Sequence, residues 1–193
     1  MPRSTLLVVC HPRPDSLTHA VADDFARGAD GLRFKRADLY GEDFDPCVRS
    51  EDEPDWDDPA KIYSAAVRAE MARISRNVAT VMVFPVWWWS VPAMLKGWID
   101  RVWNHGWAYG GGAIYPHSRV WMIGVAGGTR ASFTKRGYDE AMRVQLDVGT
   151  LDYCDISDHR LEILYAALEG PSDVADLRER ACGLGREFAA TFS

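Results

Sequence analysis

The chain is poor in cysteine, with four in 193 residues: Cys10, Cys47, Cys154 and Cys182, far apart in sequence. No C-x-x-C and no paired Cys/His spacing occurs, so neither a zinc site nor a disulfide framework is expected, and lone thiols fit a reducing cytoplasm. Positive charge is also short. Lys and Arg number 22 against 28 Asp and Glu, for a formal net charge of −6. Nucleic acid and anionic membrane surfaces are therefore not expected partners, since both demand a basic face. No apolar run approaches the ~20 residues of a membrane-crossing helix. Pro2-Arg3-Ser4 leads straight into a strand-like run, without the pattern of a secretory leader. The phosphate-binding patterns G-x-G-x-x-G and G-x-x-x-x-G-K-[ST] are missing. Ser118, Ser132 and Ser157 lie outside any G-x-S-x-G elbow, which argues against a hydrolase. His19, His105, His117 and His159 are not grouped with carboxylates at ligand spacing, so they read as surface or structural histidines and no metal site is expected.

What is present is a regular alternation. An apolar fraction of 47% is enough for one domain with a well-buried core, and no repeat, low-complexity segment or linker divides the chain. Thr5 to Cys10 is a continuous apolar run, the mark of a strand buried on both faces. Ser16 can cap a helix over 17–28, with Leu17, Ala20, Val21 and Phe25 on one face and Gly28 and Gly31 at its end. Residues 32–37 suit a second strand. Residues 40–58 form an acidic, Pro-containing excursion, read as a solvated loop. A helix is expected over 59–76 with Ile62, Ala66, Ala69 and Met71 inward, then a strand over 79–84. Ser90 and Pro92 suit the start of a helix whose Leu95, Trp98, Ile99 and Val102 follow core spacing. Strands over 119–126 and 160–166, and helices over 134–148 and 171–188, complete the order. Five strands alternating with helices predict an α/β fold, a flavodoxin-like doubly wound parallel sheet with helices on both faces.

Such sheets bind ligands beyond the carboxyl ends of their strands. Three segments should meet there: 10–18, 84–90 and 125–134. The first is a strand-to-helix turn whose free N–H groups suit phosphate, with His11, Arg13 and Ser16 beside them. The second carries Trp87-Trp88-Trp89. Three consecutive indoles cannot all face one interior, so some must line a surface or a cleft suited to a planar ligand. The third has Gly127-Gly128 directly after a strand, where missing side chains would let backbone N–H groups approach the edge of a flat ring.

The stretch F-P-V-W-W-W-S-V-P-A-M-L-K-G-W-I-D-R-V from Phe84 to Val102, followed by Trp107-Ala108-Tyr109, resembles the flavin-dependent NAD(P)H:quinone oxidoreductases of the DT-diaphorase and modulator-of-drug-activity type. Weaker resemblance extends to His11 with Ser16, to Asp38-Leu39-Tyr40 with Phe44-Asp45-Pro46, and to Gly127-Gly128. It implies a tightly bound flavin, FAD with FMN as the alternative, and a homodimer with active sites at the interface. By position it implies that His11, Ser16, Leu17 and Thr18 hold the flavin phosphates, Thr18 standing where the family usually has Asn. Pro85, Val86, Trp87, Trp88 and Trp89 would lie along the isoalloxazine. Ala126, Gly127 and Gly128 would meet its pyrimidine edge. Asp100 stands at an acidic flavin contact and Tyr109 at an interface tyrosine bordering the substrate pocket. The family often has Tyr and His six and twelve residues beyond the first Gly of the Gly-Gly pair. Here Phe133 and Asp139 occupy those places, with Tyr138 adjacent. Gly110-Gly111-Gly112 replaces an aromatic lip and implies a more open pocket.

The activity implied is two-electron transfer from NAD(P)H to a quinone or similar flat acceptor by a ping-pong mechanism. Tyr109 and Tyr138 would border the reacting ring, and the Gly127 and Gly128 N–H groups would stabilise charge on it. Arg130, Lys135 and Arg136 are candidates for the 2′-phosphate of NADPH. The rival readings are a flavin-binding regulatory subunit of a potassium-efflux system and a flavodoxin-type electron carrier.

Overall fold

A computed structural model of the chain describes residues 4–192; Pro2 and Arg3, expected to lead into the first strand, lie outside them. Five strands, β1 (Ser4–Val9), β2 (Arg33–Asp38), β3 (Ala79–Pro85), β4 (Arg119–Val125) and β5 (Asp158–Leu164), form one parallel sheet. Their spatial order is β2-β1-β3-β4-β5. The chain moves outward from β1 to β2 and then crosses back to β3, so the strand order reverses between β1 and β3.

The alternation of side chains along the strands builds two cores. Leu6, Val8, Met82, Phe84 and Met122 face one side, where they meet α2 (Ala65–Ser75) and α3 (Ala93–Val102). Leu7, Val9, Val81, Val83 and Ile123 face the other, against α1 (Leu17–Gly28) and α6 (Pro171–Ala190). The central strands are apolar on both faces because both faces are covered. β2, reading Arg-Phe-Lys-Arg-Ala-Asp, is an edge and keeps mostly half-exposed or exposed side chains. Helices α1 and α6 approach very closely. A Cβ on Gly28 would stand 2.0 Å from the Cys182 carbonyl oxygen, and one on Gly185 would stand 2.1 Å from that of Phe25. Gly28 is thus a contact residue within the helix, and Ala29 is the cap that follows it.

Four expectations are corrected. Helix α2 starts at Ala65, because the Ser64 hydroxyl accepts from the Val67 N–H and ends the extended chain before it. Ile62 therefore lies outside the helix and is 79% exposed. Ala66 and Ala69 are exposed, and Val67, Met71 and Ile74 form the inward face. The helix expected over 134–148 is broken at Gly137, whose φ is +70°, into α4 (Arg130–Thr134) and α5 (Tyr138–Met142). A π-helical segment, Arg143–Leu151, continues from α5. Ser90 does not cap α3; its hydroxyl donates to Gln145 Oε1 at 3.2 Å. Strand β5 starts and ends two residues before the expected run.

The acidic excursion is not wholly solvated. Asp52 is fully buried, and its Oδ2 accepts from Arg101 Nε at 3.1 Å. The Ser64 N–H donates to Oδ1 at 2.9 Å and the Ser64 hydroxyl to Oδ2 at 3.0 Å. Arg101 also donates to the Asp45 carbonyl at 2.6 Å. Two ends of the excursion are thereby pinned to α3. Burial alone would raise the Asp52 pKa; the bonds from Ser64 and the Arg101 charge outweigh it, and the carboxyl sits below its ordinary range.

Removing one partner strands a buried charge, so Asp52→Ala should lower stability by about 3–5 kcal/mol in urea unfolding near neutral pH. A depressed folded pKa gives stability that is present above the unfolded value and lost as pH falls below about 4. The gap between wild type and Asp52→Ala should therefore narrow in acid; a gap independent of pH would assign the loss to packing.

Candidate functional site

The three segments expected to meet do meet, at the carboxyl ends of β1, β3 and β4. A cleft of about 320 Å³ runs between the β1–α1 turn and the loop after β3, with His11, Ser16, Leu17 and Thr18 on one side and Pro85, Val86 and Trp87 on the other. A second cleft, about 540 Å³, is walled by Trp88, Trp89, Phe133, Arg136 and Tyr138 above Gly127 and Gly128. Val86 and Gly127 line both, so the two form one groove across the strand ends.

Donors unclaimed by the protein mark this groove. Ser16 caps α1 by accepting from the His19 N–H, and the Leu17 and Thr18 N–H groups make no hydrogen bond among the described residues. Trp87 and Ser90 exchange both backbone hydrogen bonds, at 3.1 and 3.2 Å, closing a two-residue turn. Its central residues, Trp88 and Trp89, have φ of +50° and +54°. This is the pattern of a type I′ turn, which favours Asn-Gly. A left-handed backbone costs a residue with a Cβ roughly 1–2 kcal/mol. Among the described residues the N–H groups of Trp88 and Trp89 have no acceptor, nor have those of Gly127 and Gly128. Six such N–H groups thus lie on three loops whose residues line one groove. That donor set fits an elongated ligand with a phosphate at one end and a flat ring with acceptor atoms at the other, as a flavin has.

Side chains complete the groove. The Arg13 N–H donates to His11 Nδ1 at 3.1 Å, which leaves Nε2–H as the available donor of the ring. Burial pushes the His11 pKa down, so the imidazole is neutral at pH 7. Trp89 stacks on Tyr138 with ring centroids 4.0 Å apart and planes at 28°. Phe133 meets Tyr138 edge-on. Asp139 turns away: its carboxylate accepts from the Thr134 hydroxyl at 2.7 Å and the Glu140 N–H at 3.0 Å. Arg130 lies over the Tyr165 ring, and none of Arg130, Lys135 and Arg136 forms a salt bridge among the described residues.

Not every expected residue joins the groove. Ala126 is fully buried behind it, with its N–H on the Leu164 carbonyl. Asp100 and Tyr109 line a separate cavity of about 380 Å³ between α3 and the π-helical segment. There Lys96 donates to both Asp100 oxygens, at 2.6 and 2.7 Å, and Tyr109 lies 5.6 Å from Tyr153. Gly110, Gly111 and Gly112, which follow Tyr109, all have positive φ, and none of them lines this cavity. Ala167 and Leu168 also border the groove, and periodicity gave no sign of them because they lie in the irregular chain after β5.

The remaining histidines have partners: His117 with the Ile74 carbonyl, His159 with Asp147, and His105 with the Asp55 carbonyl. Among the described residues no cluster of three or more His, Cys, Asp or Glu is placed to hold a metal ion, and no helix is long and apolar enough to cross a membrane.

The chain belongs to the family with the flavodoxin-like fold, which matches residues 3–184. Within it, the chain is similar to the uncharacterized NAD(P)H oxidoreductase YcaK of Escherichia coli (strain K12), at 43% identity over 136 residues, 69% of each chain. It is 25% identical over 200 residues to NAD(P)H dehydrogenase [quinone] 1 of Cavia porcellus, covering 89% of this chain and 72% of that one. The solved NAD(P)H:quinone oxidoreductase of Methanothermobacter marburgensis superposes with a TM-score of 0.88 at 27% identity, over 97% of this chain and 98% of that one.

The Trp88 side chain is 87% exposed, so replacing it loses little packing while relieving its left-handed backbone. Trp88→Asn should raise unfolding stability by about 1 kcal/mol, read from the denaturant midpoint. A lower midpoint would mean that the ring packs more than its exposure suggests.

Proposed function

We propose that the protein is a flavin-dependent oxidoreductase that passes two electrons from NAD(P)H to a quinone or similar flat acceptor. The observation that carries this reading is the set of six unpaired N–H groups along an aromatic-walled groove at the switch in strand order. The similarity to NAD(P)H oxidoreductases supports it. We take FAD as the cofactor, with FMN as the alternative, because the tryptophan segment most resembles the FAD-binding branch.

In this reading the Leu17 and Thr18 N–H groups, the Ser16 hydroxyl and His11 Nε2–H hold phosphate oxygens. Pro85 to Trp87 form the floor beneath the ring system. The N–H groups of Trp88, Trp89, Gly127 and Gly128 face its polar edges, and those of Gly127 and Gly128 stabilise negative charge there as fixed dipoles. The bound flavin would supply reversible acceptance of a hydride, the chemistry the side chains lack. Trp89, Tyr138 and Phe133 shape one flat slot, and a slot of that kind admits nicotinamide and acceptor in turn, which is ping-pong exchange. Arg130, Lys135 and Arg136, none of them in a salt bridge among the described residues, would receive a 2′-phosphate. A homodimer in the cytoplasm is part of the proposal, with Asp100 and Tyr109 of one copy serving the groove of the other.

An absorbance spectrum of the purified protein, followed by anaerobic NADPH or NADH, tests the reading. Flavin bands should bleach to the fully reduced form and recover on adding a quinone; flavin that binds without being reduced would favour a carrier or regulatory subunit. Trp89→Ala should raise the acceptor KM about tenfold, the effect of losing ~1–1.5 kcal/mol of stacking, with little change in Tm. Loss of flavin and stability together would instead make Trp89 a core residue.

A further inference from the structure

The phosphate end of the groove is backed by a buried chain of polar groups. Ser16 and His19 are 3% and 6% exposed. Ser16 Oγ lies 3.0 Å from His19 Nδ1, and His19 Nε2 lies 3.1 Å from Asp38 Oδ2 at the end of β2. Ser16 Oγ also accepts from the His19 N–H. Asp38 accepts from the Gly41 N–H at 3.1 Å. Burial works against the Asp38 charge, but the bonds from Gly41 and His19 outweigh it and hold the carboxyl below its ordinary range. Asp38 is therefore ionised and can only accept, which requires Nε2 to carry a proton.

Two protonation states of His19 remain, and they differ in what Ser16 can do. With a neutral ring, Nδ1 is an acceptor and takes the Ser16 O–H proton, so only oxygen lone pairs face the groove. With an imidazolium, Nδ1–H donates to Ser16 Oγ, and the hydroxyl proton is free to point at a ligand. An anionic oxygen meets a lone pair in the first state and a donor in the second. Other ionisable groups nearby are Arg36 on β2, Glu42 beyond it, Cys10 at the end of β1 and His11 in the turn. Burial pushes the Cys10 thiol up to about 12 and lowers the His11 imidazole, so both stay neutral near pH 7. Glu42 is held below its usual range by Arg73.

We propose that His19 is a positioning residue that couples phosphate binding at Ser16 to the uptake of a proton. The ligand class is a phosphate or diphosphate ester, and the inference rests on the flavin reading of the groove. The His19 proton comes from solvent; no bond of the ligand breaks. Because protonation and anion binding favour one another, affinity for the phosphorylated ligand falls as pH rises.

Apoprotein titrated calorimetrically near pH 7 with FAD, in buffers of low and high ionisation enthalpy, tests this. The FAD diphosphate does not titrate near neutrality; FMN, run alongside, is read as the difference between variants, and riboflavin is the phosphate-free control. Uptake of up to one proton per FAD, absent with riboflavin and lost in His19→Gln and Ser16→Ala, is the expected result. Affinity should then fall by up to about tenfold per pH unit. If His19→Gln does not fold, Asp38→Asn, which removes the charge that favours the imidazolium, should reduce the uptake. Uptake unchanged in these variants, or flavin binding with no uptake, overturns the proposal and leaves the flavin reading standing. Failure of FAD, FMN and riboflavin alike to bind overturns the flavin reading itself, and the proposal with it.

Discussion

Parallel strands that end side by side leave backbone donors with nothing to pair with, and this constraint organises the molecule. Strands β1, β3 and β4 are neighbours and run the same way. Both faces of the sheet are covered, so the chain must leave each strand end upward into a helix or a turn. The last donors of the strands and the first donors of the helices therefore collect at one edge. Here six of them find no acceptor among the described residues: those of Leu17 and Thr18, Trp88 and Trp89, Gly127 and Gly128. A fold of this kind presents a row of partial positive charge before any ionised side chain is considered, which is how a chain of net charge −6 can offer an anion a site.

The excursion over residues 40–58 lines no part of that groove, and the buried pair of Asp52 and Arg101 ties it to α3. Arg101 stands on α3, whose opposite face is core. Its grip on Asp52 and on the Asp45 carbonyl fixes the acidic segment beside His105 and Tyr109. None of the segment's described acidic residues lines the groove, and the aromatic face around Trp56, Tyr109 and Tyr153 stays apart from it in this chain.

What could be read from the sequence follows from the range of the interactions involved. The doubly wound sheet was legible because continuous apolar strands and periodic helices are local signals, and the meeting of the three loops followed from topology. The helix over 59–64 was misread because Ile62 fits a helical period while Ser64, a single capping hydroxyl, decides where the helix starts. Asp52 was misread because its partner lies 49 residues away, and no local pattern marks a carboxylate that will be buried. Asp100 and Tyr109 were assigned by resemblance alone, and within this chain they line a different cavity from the groove. The Trp88–Trp89 turn was legible as a cleft, but its left-handed backbone was not, because nothing about two bulky residues announces positive φ.

That turn and the polar chain behind Ser16 divide the groove by its chemistry. Among the described residues no histidine or carboxylate lines the cleft proposed for the ring, where Phe133 and Tyr138 form the wall and Asp139 is tied to Thr134. On the flavin reading, charge there would be met by backbone dipoles, whose strength does not change with pH, those of Trp88 and Trp89 being held in a strained turn. On the proposed reading the phosphate end is built differently: the donors of α1 are fixed, whereas the direction of the Ser16 proton would follow the state of His19. A two-electron exchange needs a constant field at the reacting ring, whereas retention of the cofactor tolerates, and can use, a dependence on protons. The same edge of one sheet provides both because its loops come from different strands, each closed by its own local contacts.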